Sequence, residues 1–182
     1  MTNFMYQTYR LIKPYLFAGF VAVTALGAFA LHLTTTTVTA NHLIISEVSF
    51  TNNDKQDWVE LYNPSLNSVS LKGYYLSDDI DDPERFRIPF DVIVPAHGAA
   101  LLYGAKAENL PLDAIKLNFS LSNGESVILT SPSGKTQLDR ITLVAPTAYK
   151  GQFSIGHNLK DSEVVEISYQ PTPGHLGGVT AR

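Results

Sequence analysis

Asp57-Trp58-Val59-Glu60-Leu61-Tyr62-Asn63-Pro64 (DWVELYNP) holds the only tryptophan of the chain. Its residues alternate with the period of two that marks a strand with one buried face. Val59 and Leu61 fall on one side and are expected to point inward, Trp58, Glu60 and Tyr62 share the other, and Pro64 ends the strand. Working outward, the same short alternating runs recur at 43–50, 68–71, 74–77, 86–88, 99–103, 126–130, 137–143, 154–157 and 164–169. No long helical period interrupts them. Many short strands at such spacing predict an all-β sandwich or barrel.

The segments between the runs carry turn chemistry: Asn63-Pro64-Ser65, Lys72-Gly73, Pro95-Ala96-His97-Gly98, Ser122-Asn123-Gly124 and Ser131-Pro132-Ser133-Gly134. The last sits between two strand-like runs and predicts a hairpin. Only residues 105–110 suggest a helical turn.

The order of these pieces resembles the lamin tail domain, an immunoglobulin-like β-sandwich. The resemblance runs from about Leu43 to Gly174. It is carried by Ile45-Ser46-Glu47-Val48, the DWVELYN stretch, Val69-Ser70-Leu71-Lys72-Gly73-Tyr74-Tyr75-Leu76-Ser77-Asp78 and Ile93-Val94-Pro95-Ala96-His97-Gly98. Asn118-Phe119-Ser120-Leu121-Ser122, Gly124-Glu125, Ser154-Ile155-Gly156 and the closing Pro171-Thr172-Pro173-Gly174 continue it. Departures are small: Ser46 precedes Glu47-Val48 where the family commonly has asparagine, and Tyr74 follows Gly73 where it commonly has tryptophan. The resemblance implies the fold, with Glu47, Trp58, Glu60, Asn63 and Gly73 in structural roles. It implies an accessory or binding module and transfers no catalytic set, because a fold is not a function.

Composition limits the classes further. The chain has 182 residues, a net charge of -4, 13 basic residues scattered singly and no cysteine. There is room for one domain of ordinary size plus a terminal segment. Nucleic acid is not an expected partner, since no basic stripe exists to meet a phosphate backbone. Without cysteine, neither disulfides nor thiolate metal sites contribute.

Residues 15–33 (YLFAGFVAVTALGAFALHL) are uncharged and nearly all apolar, and Arg10 and Lys13 precede them. That predicts an N-terminal hydrophobic helix over residues 1–40, ahead of the β-domain at 41–182. The run exceeds a signal-peptide core of about 7–15 residues and approaches the roughly 20 that span a bilayer. Val38-Thr39-Ala40 and Ala28-Phe29-Ala30 nonetheless offer cleavage sites, so a signal peptide and an uncleaved membrane anchor both stand. Either one sends the domain out of the cytoplasm, secreted or displayed at the cell surface.

Three constellations are candidates for function. The loop from Asp78 to Glu84 carries Asp78, Asp79, Asp81, Asp82 and Glu84, hard oxygen ligands of the kind calcium takes. It matches no standard calcium loop, and its other reading is a solvated turn in which Asp78 makes an Asx-type bond. Glu47 and Glu60 converge if the first two strands are neighbours. They would then serve either as an acid/base or metal-binding pair, or as carboxylates that accept backbone N–H bonds or pair with arginine. The alternation puts Leu43, Ile45 and Ser49 on the face of Glu47. Tyr74 and Tyr75 are adjacent, so one must point outward, where it would stack on a sugar ring or a partner surface. His32, His42, His97, His157 and His175 show no ligand spacing.

The expected function is a non-enzymatic exported or membrane-tethered module of the envelope that needs no cofactor. It would bind a protein, glycan or matrix component through loops or an exposed strand edge. The alternative is a metal-dependent hydrolase, or an accessory domain to one, built on Glu47, Glu60 and the 78–84 loop.

Overall fold

The computed structural model describes residues 42–50, 57–147, 151–158 and 161–174. The expected helix over residues 1–40, together with His32 and His175, lies outside the described residues. Among the described residues no helix is long and apolar enough to cross a membrane.

Twelve strands form among the described residues, and no helix. They are β1 (Ile44–Ser49), β2 (Trp58–Tyr62), β3 (Val69–Ser70), β4 (Tyr75–Ser77), β5 (Phe86–Arg87), β6 (Ile93–Val94), β7 (Ala99–Tyr103), β8 (Ile115–Lys116), β9 (Ser126–Thr130), β10 (Gln137–Thr142), β11 (Ser154–Asn158) and β12 (Asp161–Ser168). A six-stranded sheet runs β12-β11-β1-β2-β7-β8, a four-stranded sheet runs β10-β9-β4-β5, and β3 pairs with β6. All pairings are antiparallel except β7 with β8.

One apolar core lies between the two larger sheets. Val48, Val59, Leu61, Leu102 and Ile155 enter it from the first, and Leu76, Val127, Leu129 and Ile141 from the second. Val59 and Leu61 are fully buried, as the alternation in β2 requires. Burial of each such side chain stabilises the fold by about 1.5–3 kcal/mol. Phe50 and Phe153 close one end of the core edge to face, with ring centroids 4.9 Å apart. The Ser131-Pro132-Ser133-Gly134 turn joins β9 to β10 as a hairpin, with the Gly134 N–H donating to the Ser131 carbonyl at 2.9 Å.

Some expectations shift. β6 and β8 are two residues long, too short to leave an alternating signature. β12 starts at Asp161 and ends at Ser168, so it begins before the expected strand. Residues 105–110 form no helix; the Ala107 N–H donates to the Gly104 carbonyl at 3.0 Å in a single tight turn.

The largest correction concerns β1, where the register slips between Ile45 and Glu47. Leu43, Ile45, Val48 and Phe50 all enter the core. That spacing is possible only because a bulge at Ser46 inserts one residue into the alternation. Glu47 therefore does not share the face of Leu43 and Ile45.

Candidate functional site

The bulge pairs Glu47 with Glu60 across the β1–β2 ladder. Both side chains are buried, Glu60 with only 2% of its surface exposed. Ser46 Oγ donates to Glu60 Oε1 at 2.7 Å, and the Gly174 N–H donates to Glu60 Oε2 at 2.9 Å. Ser154 Oγ donates to Glu47 Oε1, while Thr172 donates through its hydroxyl at 3.1 Å and its N–H at 3.3 Å to the same carboxylate. The segment Pro171-Thr172-Pro173-Gly174 is thus a strap laid on the outer face of the six-stranded sheet and held by two acids. Buried carboxylates need such donors, since an unpaired one would carry a desolvation cost of several kcal/mol. Each carboxylate accepts a backbone N–H of the strap, Glu47 from Thr172 and Glu60 from Gly174.

The bulge has two further supports. It turns the Ile45 N–H out of the ladder, and Asp139 Oδ2 of β10 accepts it at 2.7 Å. Asp139 Oδ1 meets His157 Nε2 at 2.9 Å. The Ser46 carbonyl presses against β11 at Gly156, where a Cβ would overlap that oxygen. Asp139 did not stand out in the sequence, and Gly156 did so only within the Ser154-Ile155-Gly156 motif, because the alternation alone does not show which residue answers a bulge.

Asn63 follows β2 directly, and Gly73 lies in the turn between β3 and β4. Asn63 is fully buried and donates through Nδ2 to the carbonyls of Asn67 at 2.8 Å and Pro95 at 2.9 Å. Its Oδ1 accepts from the Ser65 hydroxyl at 2.7 Å. Gly73 has φ +87°, a left-handed turn conformation that glycine adopts without strain. Asp57, fully buried, accepts the Leu121 N–H at 3.0 Å and ties the start of β2 to a distant loop.

The acidic loop does not gather its carboxylates. Asp78 Oδ1 lies 2.8 Å from Arg85 Nη1. Asp79 Oδ1 accepts the Asp81 N–H at 2.9 Å in an Asx-type bond, and the Asp78 carboxyl bonds its own backbone. Ser77 Oγ accepts the Asp79 N–H at 2.9 Å. Asp82 accepts the Arg85 N–H through its backbone carbonyl, and the Glu84 carboxylate lies against Gly134. Among the described residues no three histidine, aspartate or glutamate side chains stand together so as to hold a metal ion. Burial pushes the Asp78 carboxyl above its ordinary value, partly offset by its backbone hydrogen bond and Arg85.

The histidines are likewise apart: exposed His42 meets the Leu138 carbonyl at 3.1 Å, and His97 meets the Tyr62 hydroxyl at 3.4 Å. Tyr74 packs against the core, and its burial raises its phenol pKa. Tyr75 is the outward ring of the pair, and Arg87 stands over it at 6.0 Å.

Two surface features remain. A groove of about 350 Å³ opens between Trp58 and Tyr103, the loop 107–111 and the strap prolines Pro171 and Pro173. Among the described residues the eight-residue strand β12 is the outer strand of its sheet, and Val164, Val165 and Ile167 are exposed on it, followed by exposed Tyr169.

A sequence model of the lamin tail domain family matches residues 36–145, more than half of the chain. The match ends before β11, β12 and the strap. No curated protein matches the sequence.

Proposed function

The chain belongs to the lamin tail domain family, whose β-sandwich is a domain of the interaction type, and from that premise we propose that it is a non-enzymatic binding module of the cell surface or envelope. In this reading residues 41–182 act outside the cytoplasm and residues 1–40 export or tether them. The apolar run at 15–33, preceded by Arg10 and Lys13, supports that part.

The observation that carries the binding role is β12. A long outer strand offers unpaired N–H and C=O groups, and proteins usually blunt such edges with lysine, proline or short length. Here the strand shows Val164, Val165 and Ile167 to solvent. An extended segment of a protein partner adds alongside it, with main-chain bonds giving affinity and the apolar side chains giving register.

The test uses the full-length chain expressed in its native host cells with a photo-activated crosslinker at Val165 or, as a control, at exposed Leu112. The reading expects a discrete protein adduct from position 165, none from 112, and loss of the first on Ile167→Lys. Equal adducts at both positions, or an adduct indifferent to the lysine, contradict it. Intact mass tests the tether: a product beginning at Asn41 marks a cleaved signal, and retention of Met1 marks an anchor.

A further inference from the structure

The groove beside the strap is a second surface, separate from the β12 edge, and its lining is selective. Trp58 of β2 and Tyr103 of β7 are cross-strand partners and form its aromatic side. Tyr103 is half-buried and offers the larger face, while Trp58 shows only an edge, 7% of its surface. Pro171 and Pro173 form the facing wall. That wall is fixed in place, because Thr172 and Gly174 are bound to Glu47 and Glu60. Exposed Glu108, Asn109 and Gln152 line the rim. Asn109 has φ +57°, in the left-handed region that a non-glycine residue rarely occupies.

These properties exclude several ligand classes. Among the described residues no lysine or arginine lines the groove, so it offers phosphates and other anions no cationic partner. Among the described residues one carboxylate lines it, too few for a calcium ion, which takes six to eight oxygen ligands. A volume of about 350 Å³ suits a small molecule. Aromatic and proline rings offer C–H and π surface, and a rim of amide and carboxylate groups offers directional partners for hydroxyls.

We propose that this groove binds a neutral sugar, one or two pyranose rings in size, stacked on Tyr103 beside the edge of Trp58, with its hydroxyls bonded at the rim formed by Asn109, Gln152 and Glu108.

Trp58 is the chain's only tryptophan and therefore reports directly on the groove. The experiment titrates the full-length chain, held in a detergent without sugar headgroups, with glucose, galactose, N-acetylglucosamine and their β-linked dimers, following Trp58 fluorescence. The expected result is a saturable change with at least one neutral sugar. Asn109→Gly keeps the left-handed backbone, so the melting temperature holds while the affinity falls about tenfold. Gln152→Ala weakens binding in the same direction. No saturable response to any of these sugars overturns the proposal. So does a response to choline or to a proline-rich peptide in their place, or a sugar response unchanged in Asn109→Gly.

Discussion

Glu47 and Glu60 stand opposite each other on adjacent strands, yet each carboxylate is bonded to a different serine hydroxyl and to a different backbone N–H of the same short strap. Two neighbouring buried acids would repel each other if left bare. Here hydroxyl and amide donors surround them, and the arrangement covers a sheet face that would otherwise be open to water. That covering explains why Trp58 and Glu60 are buried although they lie on the face away from the core.

The bulge in β1 sets the first prediction. Gly156→Ala drives a methyl group into the Ser46 carbonyl and is expected to cost about 3 kcal/mol or more. Gly124→Ala is the control, since a Cβ there meets nothing within 4 Å and only the φ of +93° opposes it. Its cost is about 1–2 kcal/mol. Urea unfolding of both variants gives the order; a larger loss for Gly124→Ala would refute the bulge contact.

Asp139 should matter through the same bulge. Asp139→Ala leaves the Ile45 N–H without its acceptor and removes the partner of buried His157, for a loss of about 2–3 kcal/mol. Asp139→Asn retains one acceptor oxygen and should lose less. Equal losses in the two variants would mean that the carboxylate's charge, and not the bond to Ile45, supports β1.

Asp78 sets a pH prediction. Burial raises its pKa in the folded state above that of an ordinary aspartate, so the native state holds the proton more tightly than the unfolded chain. Its contribution to stability is therefore full below about pH 3.8 and declines as pH rises through the raised value. Asp78→Asn imitates the protonated form. Relative to wild type, this variant should gain stability across that window and hold the gain at neutral pH. Melting temperatures of the two proteins against pH check it, and a gap that closes as pH rises would reverse the sign.

Much of the fold was legible because β2 sends Val59 and Leu61 into the core in strict alternation, and because turn residues such as Ser131-Pro132-Ser133-Gly134 punctuate the short runs. The family followed from the order of motifs, from Ile45-Ser46-Glu47-Val48 to Pro171-Thr172-Pro173-Gly174. The face of Glu47 was misread because Leu43, Ile45, Val48 and Phe50 change phase at Ser46, and a strict period of two passes over a bulge. The partners of the two glutamates lie more than a hundred residues away in the chain, at Ser154, Thr172 and Gly174 for the most part. No local spacing announces such contacts. Asp57 and Asp139 escaped notice for the same reason: each is a single acid whose purpose lies in an N–H brought near by the fold.

Hydrogen exchange, read amide by amide in the full-length chain, tests most directly whether these acids hold the strap. Glu47→Met and Glu60→Met keep the side-chain volume and remove the acceptor oxygens. The account predicts that Glu60→Met speeds exchange first at Gly174 and Glu47→Met first at Thr172, with amides of β9 unchanged. Unchanged protection at both strap amides in both variants would contradict it.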